Sequence, residues 1–588
     1  MIATLLIAAA LSPTVSAAEW TVGGHLQTDI RYYMQSTDVG TWYNPLGLDA
    51  GFSRNQNLLK GRVLGRGDAA QLVVDTDFVL MGFPDAVDST FALSRREILD
   101  PFRFEVHEAY MEVWDVGVEG LDLRVGQQKI QWGVGDQFNP TNNLNADDLE
   151  DPLLFGDQLG NVMVRADYTP IPELSFAGVL VPIFKPALLP GTGDIALGLT
   201  DRVPVQDARL RRELYASNAL VEQTLGWPAV VDAVTPVLPD PSIQNMQWQA
   251  RVAAQLGMQD VALSYYDGRF DFPIASGNHT TAAPGQQCNP NDEEDCINGL
   301  MQTTAEVSYP EMQVYGLNAT GEVNALGWLH DTIAPIGYRL ELAWIHPEET
   351  RMYVSNDLLD LGIYTQEAGE YPYDLGGRRP ITVPGDDFFK WSLGLDYTFG
   401  SLLYVNAQWV HGMPDEFGAG DWLVGRDYVA RKAVLLNGSD GNPACNLLDV
   451  SNPTDPGSGS KGETCVKEWM RPRVGDYAVV GTDVRWNQGR SLLRIFAILD
   501  MTPILITAPE DPDQDYATPG EVPRTSQTFQ WSTGTARSMV LYPELSHKLG
   551  NGFEMAAGAV VMVGEPWTKF GDPATGGTQV FTRAKYAF

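Results

Sequence analysis

Polar and apolar residues alternate along most of this chain, in segments of about 9–13 residues. The last segment shows the pattern, with Val580 and Tyr586 on an apolar face and Arg583 and Lys585 on the opposite face. A period of two residues is typical of a β-strand with one apolar and one polar face. Such a strand suits a soluble sandwich, where the apolar face looks inward, and also a membrane barrel, where that face contacts lipid.

Segments of this kind recur from one end of the chain to the other, and no linker divides them into domains. Their length is what a tilted membrane-spanning strand requires. We expect about 18 strands (16–18), an even number as in single-chain bacterial barrels. The predicted strands lie near residues 20–34, 56–66, 70–81, 102–115, 120–130, 160–168, 173–181, 246–257, 259–270, 308–320, 336–346, 388–399, 401–411, 475–487, 490–501, 536–549, 552–563 and 577–588.

The connections between these segments alternate in length. Short turns such as 66–69 and 257–258 are followed by long connections such as 131–159 and 182–245, and only the link near 321–335 departs from the rule. A membrane barrel predicts this alternation, with short periplasmic turns and long extracellular loops, whereas a soluble sandwich or propeller does not. The sequence therefore predicts an all-β fold, a single-chain transmembrane antiparallel β-barrel.

The first residues have the pattern of a secretory signal peptide. An apolar run from Ile2 to Leu11 is followed by small residues up to Ala18. The run is shorter than the roughly 20 apolar residues that a spanning helix requires. We therefore assign residues 1–18 to a signal peptide and residues 19–588 to the barrel.

The charge of the chain is strongly negative, with a net charge of −36 and a pI of about 4.4, which argues against a nucleic-acid partner. The surplus carboxylates lie in predicted loops, where they could bind Ca²⁺ or Mg²⁺, also as bridges to lipopolysaccharide phosphates. Asp511, Asp513 and Asp515 match part of a calcium loop, but its glycine and distant glutamate are missing. An ordinary solvated acidic loop is the simpler interpretation, and we expect no cofactor and no metal site.

The four cysteines form two pairs that are close in sequence, Cys288 with Cys296 and Cys445 with Cys465. Each pair lies in a polar segment rich in Pro, Gly and Asn. An even count in an exported chain predicts two disulfides that staple extracellular loops. Metal binding is the weaker alternative, because no histidine or CxxC pair lies beside them.

The polar faces of the predicted strands supply the residues that would line a pore. The long 182–245 loop carries a basic run that could fold inward as a constriction, and polar residues of the 131–159 loop, including Asn139 and Thr141, could fold that loop into the pore. The constriction candidates are Arg209, Arg211 and Arg212. The pore-lining candidates are Glu108, Tyr110, Arg124, Gln128, Arg251, Arg339, Glu341, Lys390, Asp396, Arg485, Arg494, Arg583 and Lys585.

Residues 104–148 carry a specific motif, an "EAY" strand followed by a tight turn, "LRVGQQ", "WG" and "NPTN". It resembles a motif of Gram-negative outer-membrane porin-like barrels and is more distantly similar to alginate-export barrels. The Tyr-x-Phe ending resembles the signal that the barrel-assembly machinery reads, here through Phe588. The resemblance implies a protein of the outer membrane, in contact with its lipid and lipopolysaccharide.

These observations predict a channel that passes polar cargo, anionic or neutral rather than cationic, across the outer membrane. Polysaccharide export is one form of this hypothesis, and it would need a separate periplasmic partner. The alternatives are a general or hydrophobic-solute uptake porin and a structural or adhesive barrel. We do not expect an enzyme, because the chain lacks GxSxG and offers only His107, beside Glu108, and His411 as catalytic candidates.

Overall fold

The structure is a computed structural model of the chain. It describes residues 18–38, 47–84, 87, 89–151, 156–193, 227, 229–283, 285–289, 292–324, 335–356, 379–383, 385–418, 423–424, 470–471, 474–502, 537–564, 568–572 and 575–588. The predicted signal peptide, residues 1–17 of it, lies outside the described residues.

The main body is a closed barrel of 18 antiparallel strands, because the first strand pairs with both the second and the last strand of the wall. Each barrel strand overlaps one of the 18 predicted segments, so the predicted fold class is confirmed. The barrel strands are β1 (Glu19–Tyr33), β4 (Gly51–Arg66), β5 (Ala70–Met81), β6 (Phe102–Val113), β7 (Leu121–Gln128), β8 (Asn161–Ile171), β9 (Leu174–Val181), β11 (Gln247–Leu256), β12 (Gln259–Arg269), β17 (Glu311–Val323), β18 (Ile336–Pro347), β21 (Phe388–Phe399), β22 (Leu403–His411), β25 (Asp476–Trp486), β26 (Ser491–Asp500), β27 (Met539–Gly550), β28 (Phe553–Val563) and β29 (Gln579–Ala587).

The outer face of the barrel wall is apolar, and the inner face is where its polar side chains lie. Phe104 is 63% exposed on the outside, whereas Glu341, on an inward-facing position, is fully buried. Aromatic rings of four neighbouring strands form a row on the outside, in which Trp248, Tyr265 and Tyr315 follow one another at centroid distances of 5.1 and 5.0 Å. An exterior of this kind matches acyl chains rather than water, and the interfacial aromatics are typical of membrane barrels.

The short connections all lie at one end of the barrel, and the long ones lie at the other. Glycines allow several of the tight turns, as at Gly257 with a φ of 69° between β11 and β12. The last residue closes the seam, since Phe588 and Gly24 exchange backbone hydrogen bonds of 3.0 and 3.2 Å. No helix among the described residues is long and apolar enough to span a membrane.

The long connections contain further strands, which the sequence pattern did not predict. Three successive loops supply a five-stranded sheet of β10 (Ala229–Val237), β16 (Leu300–Ser308), β13 (Ile274–Ala283), β19 (Thr350–Asn356) and β20 (Arg379–Val383), in that order. Two of its pairings are parallel, β10 with β16 and β13 with β19, unlike any pairing of the wall. The additional strands are β2 (Thr37–Asp38), β3 (Gly47–Leu48), β10 (Ala229–Val237), β13 (Ile274–Ala283), β14 (Gln287–Asn289), β15 (Asp292–Ile297), β16 (Leu300–Ser308), β19 (Thr350–Asn356), β20 (Arg379–Val383), β23 (Leu423–Val424) and β24 (Met470–Arg471). The helical segments are the α-helical turn α1 (Arg96–Leu99) and the 3₁₀ turns Ala92–Ser94 and Ile243–Asn245.

One of the two predicted disulfides is confirmed. Cys288 of β14 and Cys296 of β15 are bonded in the short hairpin that these strands form. The other predicted pair, Cys445 with Cys465, lies outside the described residues.

Candidate functional site: a loop folded into the barrel lumen

The connection between β7 and β8 folds into the barrel instead of extending away from it. We call its described residues, 129–151 and 156–160, the inward loop. Ile130, Trp132 and Leu144 are almost fully buried where the loop packs against Met163 on the inner wall. The loop therefore takes its apolar contacts from the inside of the barrel.

Glycines permit the close contacts that this path requires. Gly126, near the end of β7, has a φ of 134°, and a Cβ there would lie 2.3 Å from the carbonyl oxygen of Ala109. A Cβ on Gly133 would lie 2.4 Å from the side chain of Asn139 within the loop. Any larger residue at either position would therefore clash.

One wall holds the inward loop through the carboxylate of Glu341 on β18. This carboxylate accepts hydrogen bonds from the backbone N–H groups of Val134, of Gly135 at 2.7 Å and of Thr141 at 3.3 Å, and from the Thr141 hydroxyl at 2.9 Å. It is fully buried and has no basic partner among its hydrogen-bond donors. Backbone and hydroxyl donors therefore take the place of water around this buried carboxylate.

Neighbouring strands add contacts on the same side. Arg339 pairs with Asp136 of the inward loop and lies 3.4 Å from Asp396. Asn318 of β17 donates a 2.7 Å hydrogen bond to the backbone carbonyl of Trp132. Side chains of β17, β18 and β22 thus contact the loop together, because Asn406 and Gln408 of β22 also bond Asp136.

The opposite wall holds the inward loop through an ion-pair network. Arg31 of β1 bonds Asp151 through two contacts of 2.6 Å and also pairs with Asp29 at 2.9 Å. Arg54 of β4 lies 3.4 Å from Asp151, and Arg103 of β6 bonds Glu150 at 2.8 Å. Since β1 and β4 lie across the ring from β18 and β22, the loop spans the lumen from wall to wall.

A third contact joins the inward loop to the segment after β12. The Asp147 backbone N–H donates a 2.8 Å hydrogen bond to the Asp271 carboxylate. Burial and the nearby Asp271 carboxylate raise the pKa of Asp147 well above its ordinary value, and burial raises the pKa of Asp271 to about 6. Two carboxyl groups that share a dry site disfavour double ionisation, so this contact is sensitive to pH.

Several predicted pore-lining residues form polar clusters on the inner wall. Arg124 lies over the Tyr110 ring at 4.6 Å and contacts Glu112 at 3.2 Å. Arg494 and Arg485 share the carboxylate of Asp483, at 2.8 and 3.1 Å. On the seam, Arg583 pairs with Asp29 at 3.1 Å, and Lys585 stands opposite Gln27 and Glu554 in the strand register.

Four predicted pore-lining residues hold the inward loop or the wall instead of facing open water. Glu341 and Gln128 are fully buried, and Gln128 donates to the backbone carbonyl of Met163 at 3.1 Å. Lys390 is also buried and donates to the carbonyl oxygens of Met413 at 2.8 Å and of Pro414 at 3.2 Å. Glu108 accepts a 3.3 Å hydrogen bond from the backbone of Lys129, where the inward loop begins.

The expectation that these polar residues of the strands border water is wrong for Gln128, Glu341 and Lys390. Alternation tells which face of a strand a residue occupies, but it does not show that a loop covers that face. For the same reason, the sequence did not predict several residues of the contacts that hold the inward loop. They include Arg31, Asp29, Arg54, Asp136 and Asp151. The only sequence signal for Arg31 and Asp29 was their shared inward parity on β1.

Arg251 of β11 differs from the paired cations. Its guanidinium lies 5.8 Å from the centroid of Trp132, and its Nε has no hydrogen-bond partner. It lines a cavity of about 380 Å³ beside the inward loop, together with Val134 and Asn318. Its positive charge therefore lies in the wall of that cavity.

Two groups of predicted residues cannot be placed. The proposed constriction residues Arg209, Arg211 and Arg212 lie outside the described residues. The aspartates of the possible calcium loop, Asp511, Asp513 and Asp515, lie outside them as well. The inward loop, which the sequence placed between two strands of the motif, is a second connection that was expected to fold into the pore, and the structure places it inside the barrel.

Comparisons with known proteins give structural likeness without sequence support. No family model matches the chain, and no curated protein matches it. OccAB3 of Acinetobacter baumannii is similar, with 9% identity, a TM-score of 0.40, and coverage of 96% of this chain and 99% of that one. OccK11 (OpdR) of Pseudomonas aeruginosa has 8% identity and a TM-score of 0.39, over 97% of this chain and 96% of that one.

A loop-deletion mutant of OmpT, an outer-membrane protein of Vibrio cholerae, has 9% identity and a TM-score of 0.33, over 97% of this chain and all of that one. Identities this low say nothing about the substrates or partners of this chain. The closed wall of 18 strands, its apolar exterior and its polar inner face are features of the chain itself. They make the protein a β-barrel of the Gram-negative outer membrane, with the polar interior that channels of this size have.

Proposed function

We propose that the protein is a diffusion channel that admits small polar solutes and excludes polymers. The observation that carries the proposal is the attachment of the inward loop to opposite walls, at Glu341 on one side and at Arg31 on the other. A loop fixed at both ends narrows a bore that an 18-stranded wall alone would leave wide. Polysaccharide export finds no support in this arrangement, because a chain in transit would have to displace the loop.

Charge at the constriction favours anionic and neutral solutes over cations. Glu341 and Asp151, which hold the inward loop, are almost fully buried and already bonded, so they offer little to a passing cation. Asp136 and Glu150 are 40% and 30% exposed, but each pairs with an arginine. Arg251 lines the cavity beside the loop, and Arg485 and Arg494 are about half-exposed while sharing one carboxylate. These arginines are the cations that we expect to set the charge preference.

Liposome swelling tests the size limit. Purified full-length protein is reconstituted into liposomes that contain dextran, and the liposomes are diluted into isotonic monosaccharide, disaccharide or larger oligosaccharide. We expect fast swelling with monosaccharides and a steep loss of rate with chain length. Equal rates for long oligosaccharides would contradict the proposal.

Reversal potentials in a planar bilayer test the charge preference. Under a salt gradient we expect a modest anion preference, which Arg251→Gln reduces because this change removes a positive charge from the wall of the cavity. A strong cation preference would overturn this part of the proposal. If neither assay detects permeation, a structural or adhesive barrel becomes the better interpretation, since the long loops build a five-stranded sheet of their own.

A further inference from the structure

Three potential metal ligands converge on the inner wall, beside Arg103, which also bonds Glu150 of the inward loop. Asp77 of β5 and Glu105 of β6 are directly opposed in the strand register, and His107 lies two residues after Glu105. His107 Nε2 is 2.9 Å from Asp77 Oδ2 and 3.7 Å from Glu105 Oε2. One donor atom from each residue lies within 4.8 Å of the other two, which is the span of donors around a single cation.

The cluster contains donor atoms that a cation can use. Asp77 is 93% buried, since only 7% of it is exposed, and its Oδ1 has no hydrogen-bond partner. His107 Nε2 lies 2.9 Å from Asp77 Oδ2, a distance at which a protonated imidazole forms an ion pair. With a neutral imidazole, the same two atoms have the spacing of adjacent ligands of a metal ion.

Local strand geometry directs His107 toward the cluster. The register between β5 and β6 shifts at this point, so that Asp75 opposes Glu108 and Thr76 opposes Val106. His107 is therefore the extra residue of a β-bulge and has no cross-strand partner on β5. Bulges re-aim side chains and occur beside functional sites in many sheets.

The surroundings leave room for a cation and for water. The side chains of His107 and Glu105 are 24% and 32% exposed on the inner face of the wall. Lys60 is the nearest ammonium; it lies 3.3 Å from Asp75 and 4.0 Å from Asp77, so its closer partner is outside the cluster. Arg103 contacts Glu105 through the other carboxylate oxygen, Oε1.

We propose that Asp77, Glu105 and His107 form a binding site for a divalent first-row transition-metal ion such as Zn²⁺, with water in the remaining coordination positions. One imidazole and two carboxylates suit Zn²⁺ and its neighbours better than Ca²⁺ or Mg²⁺, which take oxygen ligands only. The site faces the channel lumen, so an ion can enter from the solution. The metal site neither depends on nor explains the proposed passage of small solutes.

Isothermal titration with Zn²⁺ tests the site in detergent-solubilised, full-length protein that carries no histidine tag and has been stripped with chelator. We expect one specific site in the wild type. His107→Gln removes the only nitrogen ligand, and it weakens this binding at least about tenfold. Asp77→Asn has the same effect, because it removes the charge of the most buried ligand.

A matched control is His411→Gln. His411 also lies beside an aspartate, with Nδ1 at 3.0 Å from Asp476, but no third ligand joins that pair in the part of the chain that the structure describes. We expect this variant to bind Zn²⁺ like the wild type. Each variant is first checked for the heat-modifiable migration of a folded barrel, so that loss of binding is not loss of fold.

Lys60→Met distinguishes a metal site from a simple ion pair of His107 with the two carboxylates. The change removes a nearby positive charge, so we expect Zn²⁺ to bind more tightly, by about fivefold if the two charges interact with about 1 kcal/mol. The proposal is overturned if His107→Gln binds Zn²⁺ as tightly as the wild type does. It is also overturned if the wild type binds no more Zn²⁺ than the doubly substituted Asp77→Asn, His107→Gln protein. In either case His107 would serve only as the partner of two carboxylates.

Discussion

The two ends of the inward loop are held by different chemistry. On β18 the carboxylate of Glu341 accepts the backbone bonds of the 134–141 part of the loop, and polar contacts to Asp136 from β18 and β22 lie beside it. On β1 and β4 the loop carboxylate Asp151 meets two guanidinium groups, and Asp29 has a second partner in Arg583. The first attachment is centred on one buried carboxylate that backbone donors solvate, whereas the second is a network of opposite charges.

The difference has an energetic reason. A buried carboxylate without a counter-charge is solvated only by the N–H and O–H groups that point at it, so its loss leaves those donors unpaired. In a network, each charge that is deleted leaves others that still neutralise its partners. We therefore expect the loop to tolerate changes at the β1 side better than changes at Glu341.

The largest effect is expected from Glu341→Ala. Removal of the carboxylate leaves the buried donors of Val134, Gly135 and Thr141 unsatisfied, at a cost of about 3–5 kcal/mol to the docking of the loop. We expect a larger and noisier single-channel conductance in a planar bilayer.

The matched control is Glu544→Gln, because Glu544 lies on the inner wall and contacts Tyr542 and Arg583 rather than the loop. This variant should conduct like the wild type. If Glu341→Ala leaves the conductance unchanged while the protein is folded, the loop does not limit the bore.

A smaller effect is expected from Arg31→Met. Asp151 keeps Arg54, and Asp29 keeps Arg583, so we expect a loss of about 1 kcal/mol and only brief openings of the loop. The double change Arg31→Met, Arg54→Met removes both cations from Asp151. It should raise the conductance by more than the two single changes combined, as a double-mutant cycle would reveal. Additive single effects would contradict the network.

The contact between Asp147 and Asp271 makes the loop sensitive to pH. Because burial raises both pKa values, the carboxyl groups are neutral in the docked loop at low pH and ionised in a detached loop above pH about 4. Docking is therefore strongest below pH about 4 and weakens as the pH rises to about 6. Two nearby charges act on the pKa of Asp147 in opposite directions, since Lys390 lowers it and Asp415 raises it.

Current noise recorded between pH 4 and pH 7 checks this prediction. We expect the docked-to-detached ratio to fall by at least about tenfold over this range in the wild type. Asp271→Asn removes one of the two ionisations and should flatten the profile. A pH dependence of the same size in Asp271→Asn would assign it to other groups.

The smallest effect is expected from reduction of the disulfide between Cys288 and Cys296. It joins two short strands of an outer hairpin, and neither strand pairs with the barrel wall. We expect unchanged conductance after treatment with a reductant, with faster proteolysis of the hairpin as the positive signal. A change of conductance would show that the outer hairpin communicates with the inward loop.

The sequence predicted the wall far better than the site. Every barrel strand lies within a few residues of a predicted segment, because a strand with lipid on one face must keep a period of two. The five-stranded sheet of the loops escaped this reasoning, since its strands need no apolar face toward lipid. Glu341 was selected as an inward polar residue, but its role was not predicted.

The sequence did not predict the role of Glu341 because that role depends on contacts across the barrel. Glu341 meets Thr141 across 200 residues of sequence, and Arg31 meets Asp151 across 120. No local pattern encodes which loop carboxylate a wall guanidinium will bond. The convergence of Asp77 with His107 is similar, because it needs the register of two strands and the bulge between them.

The sequence by itself determined that this protein is a barrel with lipid outside and polar groups inside, because alternation and loop length follow from local backbone geometry and from the thickness of the membrane. Only the tertiary structure decided which inward residues face water and which are covered. That choice depends on where the inward loop docks, and docking depends on charges and donors far apart in the chain that meet only after the barrel has closed.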